Sequence, residues 1–332
     1  MGLIDSLSVG FGTVTRKIWL VIIPALLDIF LWQGPRLSAY PLVKRLLSFL
    51  QAPPGMSQDY LNTLGQMREL LTDMGQHFNL FSLLFATLDM LPWGLRSLMS
   101  RGLPSVGEQG NPGTLEVHSF LGFAGLFILL LLASSFIGCL FLTLLAQVVR
   151  GEDTDWLHLP QRAVSNWVRL LLLGLVGVFG LTIIALPVWL LAGLLALLSE
   201  GLAFFSITML FMIVLWIMFY MFFAVHAIVL DEVGVFQAMG RSLMVVGRNF
   251  WSTVGLIILT NFISIGLGVI WQRLNTGSWR TLAAILGNAY IGTGLVAGTL
   301  YFYQDRCGQW LEEQHEELER GHEGHERHEE HE

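Results

Sequence analysis

Three stretches of this chain, Ser119–Val149, Leu170–Ser199 and Gly201–Leu230, each run for about 30 residues without an Asp, Glu, Lys or Arg. A helix needs about 20 consecutive apolar residues to cross a bilayer, so each run is long enough to span, with some tilt. Two further charge-free runs, Asn249–Gln272 and Thr281–Gln304, meet the same length. Ile18–Gln33 adds a shorter one, interrupted by Pro24 and Asp28. Charged residues make up 13% of the chain, about half of what soluble domains carry. The expected fold is therefore all-α: a polytopic membrane protein with six transmembrane helices and amphipathic surface helices.

The formal charge of −7 belongs to one end of the chain. Residues 310–332 hold ten acids and two bases, so the body before them is close to neutral and offers no field for nucleic acid. Basic residues in short loops orient a membrane protein. Arg16 and Lys17, Arg150, Arg162 and Arg169, Arg241 and Arg248, and Arg306 all fall on one side of a six-span count, against Arg273 and Arg280 on the other. Both termini are expected in the cytoplasm, in the inner (plasma) membrane. Ile18–Trp32 follows Arg16-Lys17 but has no small-residue cleavage site, so it reads as an uncleaved span. Two cysteines, Cys139 and Cys307, define no disulfide framework.

Four regions follow: 1–33, an amphipathic helix and first span; 34–118, an extracytoplasmic helical insertion; 119–304, a five-span bundle; and 305–332, a His/Glu-rich cytoplasmic tail. In the insertion, Leu42, Val43, Leu46, Leu47 and Leu50 share one face, and Tyr60, Leu64, Met67, Leu71 and Met74 form a short seam. Phe78–Met99 is apolar but broken by Asp89, Pro92 and Arg96, which suggests an interfacial or re-entrant segment rather than a seventh span.

An internal repeat organises the remainder. Val14-Thr15-Arg16-Lys17-Ile18-Trp19 matches Val246-Gly247-Arg248-Asn249-Phe250-Trp251, each at the mouth of a span and each after an amphipathic stretch. A weaker copy runs from Pro160 to Arg169, with Ala163, Val164, Trp167 and Val168 on one face. Arginine with tryptophan beside it is also what interfacial anchoring alone selects.

The segment FAVHAIVLDEVGVFQAMGRSLMVVGRNFWSTVGLIIL, residues 223–259, resembles a pattern in bacterial six-helix integral membrane families, among them the membrane domain of some glycerophosphodiester phosphodiesterases. A span ends in the acidic pair Asp231-Glu232. A short helix with Ala238 and Ser242 four apart follows, and then Arg248, Phe250 and Trp251 open the next span. The chain has no counterpart of the phosphodiesterase catalytic domain. What the resemblance implies is a membrane scaffold, without that activity.

Few residues offer chemistry. A carboxylate in hydrocarbon is a functional candidate by default, which singles out Asp28. It sits toward the outer end of its span, where it either caps the insertion, pairs with Arg36 or Lys44, or couples an ion or proton. His226 lies one turn before Asp231 and Glu232, an arrangement that serves metal binding, proton movement or an ordinary helix-end hydrogen bond. Ser134, Ser135, Gln147, Asn261 and Asn288 are the other polar groups inside apolar runs, and interhelical bonding is the ordinary use of the two asparagines. Gly287, Gly292, Gly294 and Gly298 suggest close packing of the last span. No phosphate loop, nucleophile elbow, H-E-x-x-H or CxxC occurs, and no cofactor is implied.

In the tail, a helix is expected to about Arg320 and to break at Gly321 and Gly324. His322, His325, His328 and His331 recur every third residue, a spacing that suits weak binding of Zn²⁺, Ni²⁺ or Cu²⁺. The functional expectation is a non-enzymatic membrane scaffold that binds lipid or a partner membrane protein. The alternative is a secondary transporter that uses Asp28.

Overall fold

The computed structural model describes residues 2–49, 58–90, 95–99, 113–152, 155–274 and 278–329. The helices in chain order are α1 (Leu3–Arg16), α2 (Ile22–Gln33), α3 (Tyr40–Phe49), α4 (Gln58–His77), α5 (Ala86–Met90), α6 (Phe120–Val149), α7 (Leu159–Ala196), α8 (Glu200–Tyr220), α9 (Ala224–Leu230), α10 (Val235–Arg248), α11 (Phe250–Leu274) and α12 (Ser278–Glu329). Among the described residues, five helices are long and apolar enough to cross a membrane, and Ile18–Gln33 is a shorter apolar helical segment. The most apolar window of the Leu159–Ala196 helix buries none of its residues within the protein. A surface of that kind is stable only against an apolar surrounding.

The chain packs as two units. One comprises Met1–Arg16, Leu142–Thr260 and Gly294–Glu332, the other Lys17–Phe141 and Asn261–Thr293. In the first unit α1 lies directly on α12. A Cβ at Gly10 would stand 2.4 Å from the Gly298 amide nitrogen, and one at Gly298 would stand 2.6 Å from a Leu7 methyl. Gly294 likewise lies under the Phe11 ring. Two helix backbones approach this closely only where neither carries a side chain. Thr13 and the Tyr301 hydroxyl, 3.0 Å apart, add a hydrogen bond to the same contact.

The repeat has a structural counterpart. α1 and α10 are both 14 residues long with arginine in the last turn, and Val14 and Val246 are both fully buried. The residue after each arginine leaves helical geometry, Lys17 at φ −121°, ψ 61° and Asn249 at φ −120°, ψ 37°. The third copy differs, because α7 continues unbroken from Leu159 through Arg169 to Ala196. Pro160 sits in the first turn, where no hydrogen bond is lost, and nothing near Arg169 disfavours helix.

The span Gly201–Leu230 is divided instead: α8 stops at Tyr220 and α9 resumes at Ala224. Ser242 of α10 holds the break. Its hydroxyl donates to the Tyr220 carbonyl at 2.7 Å and accepts the Phe223 N–H at 3.0 Å. The Ala238/Ser242 spacing is therefore what a helix needs to fit against that turn, since both residues are fully buried.

In the second unit, Ile18–Val21 forms a 3-10 turn before α2 rather than a continuous helix. Pro24 accounts for it, having no N–H for the Leu20 carbonyl and a ring that crowds it. Two three-residue strands, β1 (Arg36–Ser38) and β2 (Thr114–Glu116), pair in parallel with Leu37 opposite Leu115. They are a local exception in a fold that is otherwise helical, as expected, and they tie together the two ends of the 34–118 insertion. Asn79 supports β1, its side-chain oxygen accepting the N–H of Leu37 at 3.0 Å and that of Phe81 at 3.1 Å. Leu37, Leu42, Leu80, Val117 and Leu130 form a small core beneath.

α3 packs on α4 through Gly75, which faces Val43 and Tyr40. Of the expected α4 seam, Leu64 is buried but Met67 and Met74 are exposed. Leu50 and the Tyr60 side chain lie outside the described residues. The tail departs from expectation too. α12 runs past Gly321 and Gly324 to Glu329. Isolated glycines cost a helix only about 1 kcal/mol each, and their neighbours here are mostly glutamate, arginine and histidine.

Candidate functional site

Of the polar side chains that the sequence singles out in the apolar helices of the second unit, Ser135 bonds the Leu132 carbonyl of its own helix at 2.8 Å, and the other four are Asp28, Ser134, Asn261 and Asn288. These four bond residues of two described stretches, 86–90 and 95–99. Ser134 of α6 accepts the Thr87 N–H at 3.0 Å and hydrogen-bonds the Thr87 hydroxyl at 3.0 Å. Asp28 of α2 is buried and accepts from the Ser97 hydroxyl at 2.5 Å, from the Leu98 N–H at 3.2 Å and from the Met99 N–H at 3.4 Å. Asn288 of α12 donates to the Arg96 carbonyl at 2.7 Å. Asn261 of α11 accepts from the Arg96 guanidinium.

The reason lies in the backbone. Residues 95–97 have no regular secondary structure and 98–99 form a bend, yet Leu95, Ser97 and Leu98 are buried. Non-helical backbone among apolar helices has no ladder to join and no water to turn to, so side chains must satisfy it. Asp28 supplies one acceptor to two successive N–H groups, and Asn288 supplies a donor to the carbonyl ahead of them. Gly292 completes the fit, since a Cβ there would stand 2.4 Å from a Leu95 methyl and 3.1 Å from its Cα. Phe78–Met99 is thus inserted among α2, α11 and α12 over its last described residues. Asp89 has no described side chain, and Pro92 lies outside the described residues.

Several expectations change here. Asp28 bonds Ser97 and its neighbours, and no bond joins it to Arg36 or Lys44. Asn261 and Asn288 bond Arg96, and not each other. Arg96 and Ser97 are the site residues that the sequence reading did not select. The signal was present, for Arg96 is the single basic residue in that apolar run.

In the first unit, His226, Asp231 and Glu232 each have their own partners. His226 is buried, with Nε2 3.3 Å from the Thr299 hydroxyl and its ring edge-on to Phe223. The Asp231 carboxylate accepts from Arg241 and, at 2.6 Å, from the Tyr303 hydroxyl, with the Cys307 thiol 3.9 Å away. Burial works against the Arg241 charge, but the bond to Asp231 and its negative charge outweigh that and raise the guanidinium above its ordinary value. Glu232 lies 3.4 Å from Arg150 and 3.9 Å from Arg162, and its carbonyl accepts from Arg169.

Arg150 also donates to the Leu230 carbonyl at 2.7 Å, closing the end of α9. Glu232 has φ +53°, a conformation costly for a side chain with a Cβ, and these arginines hold it there. The acidic pair therefore reads as a clasp between α7, α9, α10 and α12. A polar cleft of about 520 Å³ opens beside it, lined by Asp155, His158, Gln161, Arg162, Ser165, Asn166 and Glu232. His158 bonds Asp155 at 2.8 Å and holds that carboxyl below its usual value.

Among the described residues, no three His, Cys, Asp or Glu side chains gather as metal ligands would. His331 lies outside the described residues, and the side chains of His322, His325 and His328 are likewise not described. Cys139 and Cys307 are buried and lie outside any disulfide.

The second unit also carries an apolar groove of about 700 Å³ between α2 and α12. Ile18, Trp19, Val21, Ile22, Ala25, Leu26 and Ile29 form one wall, and Leu286, Gly287 and Tyr290 the other.

A family model described as a domain of unknown function, DUF7847, matches residues 105–298. That range includes Asp231, Glu232 and the arginines that bond them, with Asn261 and Asn288, while Asp28 and Arg96 precede it and Tyr303 follows it. No curated protein and no solved structure matches the chain.

Proposed function

The chain belongs to the DUF7847 family, and from that premise we propose that it is a non-enzymatic integral membrane protein that binds lipid. In this reading Ile18–Gln33 joins the five long helices as a sixth span, and both termini face the cytoplasm of a bacterial inner membrane. The similarity of residues 223–259 to the membrane domain of glycerophosphodiester phosphodiesterases is part of the same proposal. Lipid, or a partner membrane protein, is the ligand, and the tail histidines are at most a weak site for a divalent metal.

The observation that carries the reading is the groove between α2 and α12. Its walls are almost wholly apolar, and its volume is that of cavities that hold small ligands. Asp28, Asn261 and Asn288 nearby are occupied in holding residues 96–99. Intact-mass spectrometry of the full chain in mild detergent tests it. Bound phospholipid is expected on the wild type and should fall sharply in an Ile22→Trp/Leu26→Trp variant. Both side chains line the groove and are more than half exposed, so the change fills space without disturbing the core. Equal retention by both proteins overturns the reading.

A transporter is the second reading, favoured by two ionisable residues, Asp28 and Arg96, at a non-helical break between helices. Substrate-dependent flux in proteoliposomes, abolished by Asp28→Asn, would put it first.

A further inference from the structure

We infer that the groove between α2 and α12 is a single-leaflet site for an anionic diacyl phospholipid, with an acyl chain along Ile18–Ile29 and the headgroup phosphate at Lys17. The inference rests on the lipid-binding reading and adds to it a headgroup class and a depth.

Length is the first argument. At about 1.5 Å per residue, the wall from Ile18 to Ile29 runs about 17 Å, close to half of the ~30 Å hydrocarbon core. A groove of that depth fits the chain of a lipid in one leaflet. Charge is the second. Lys17 immediately precedes Ile18 and Trp19, the first residues of the wall, and its ammonium makes no ion pair or hydrogen bond among the described residues. Every groove-lining side chain is uncharged. Lys17 is thus the charge at the end where the wall begins, beside a tryptophan of the kind that marks headgroup level. A strongly hydrated point charge on a flexible stem suits a phosphate that stays partly in water.

Shape is the third. Gly287 brings only backbone to the α12 wall, and its missing Cβ leaves room for the Trp271 ring of α11, which such an atom would meet at 2.7 Å. Trp271 therefore closes one side of α12 at the level where Leu286 and Tyr290 line the groove.

The test uses the full chain in mild detergent, titrated with phosphatidylglycerol or phosphatidylcholine of identical acyl chains and read by intact-mass spectrometry. Phosphatidylglycerol should bind about fivefold or more tightly, the gain of one lysine near an anionic headgroup. Lys17→Gln should remove that preference while leaving phosphatidylcholine binding in place, and Lys17→Arg should restore most of it. Ile22→Trp/Leu26→Trp should lower binding of both lipids. Equal binding of the two lipids by the wild type, or an unchanged preference in Lys17→Gln, overturns the headgroup assignment alone. Retention of neither lipid overturns the lipid-binding reading with it. Loss of bound phosphatidylglycerol to millimolar inorganic phosphate would mark a phosphate site without a lipid, and also overturns the inference.

Discussion

The Asp28 carboxylate of α2 lies 2.5 Å from the Ser97 hydroxyl, 69 residues further along the chain, and both side chains are buried. The pair fastens a non-helical segment among apolar helices. Each of the next two N–H groups also finds the same carboxylate.

Removing this acceptor takes one bond each from the Leu98 N–H and the Ser97 hydroxyl, while the Met99 N–H keeps the Ser97 oxygen at 3.2 Å. A buried polar group left without its partner costs about 1–3 kcal/mol. Asp28→Ala should therefore destabilise the purified protein by about 3–5 kcal/mol, and Ser97→Ala by about 1–2 kcal/mol. Asp28→Asn should fall between, since its amide keeps an acceptor. Thermal unfolding in detergent measures the order, and an Asp28→Ala protein as stable as the wild type would refute the fastening role.

The contact between α1 and α12 predicts a difference between two glycines of the same helix. Gly10→Ala places a Cβ 2.4 Å from the Gly298 nitrogen, where only backbone can yield. Overpacking of that kind costs about 1–3 kcal/mol. Gly12→Ala meets nothing within 4 Å and should be neutral or stabilising by up to about 1 kcal/mol. The two melting temperatures should shift in opposite directions or differ clearly.

Ser242 bonds both sides of the break between α8 and α9. Ser242→Ala leaves the Phe223 N–H without its acceptor, at about 1–3 kcal/mol. Ser242→Thr keeps the hydroxyl but adds a methyl to a fully buried position, so it should not rescue completely. Hydrogen exchange at Phe223 should rise in Ser242→Ala, and exchange as slow as in the wild type would exclude the proposed role.

The acidic clasp predicts coupling between Asp231 and Arg241. The two side chains are about a quarter exposed, so solvent screening moderates the pair. A double-mutant cycle with Asp231→Asn and Arg241→Gln should give a coupling of about 1 kcal/mol, with additivity as the contrary result. Tyr303→Phe, which removes a second donor to Asp231, should not be additive with Asp231→Asn either.

The proposed six-span topology makes a separate forecast. A reporter fused after Glu332 and another inserted at Gly107 should report opposite sides of the membrane. The same side for both would require a different number of spans.

Local composition governed much of this architecture. The apolar runs begin and end close to where α6 and α11 do, and the last begins close to where α12 does, because a 20-residue stretch without charge has few alternatives to helix in an apolar surrounding. The repeat was legible for a similar reason, as Lys17 and Asn249 break the chain at equivalent places. The glycines of α12 announced close contacts, since a missing side chain is a property of the residue itself. Asp28, Asn261 and Asn288 were visible as polar residues out of place.

What they touch was not. Asp28 meets Ser97 across 69 residues, Asn261 meets Arg96 across 165, and Asn288 meets the same residue across 192. A hydrogen bond is satisfied by whichever partner the packed chain delivers, and that choice belongs to the whole bundle. The same holds for the acidic pair, where Tyr303 reaches Asp231 from 72 residues away. It holds also for the small parallel strand pair, which exists because the two ends of an insertion meet. The sequence by itself determined where the chain must be helical and which residues would be expensive to bury. Only the tertiary structure decided how that expense is met, because the partners are assembled by packing and not by neighbourhood in the chain.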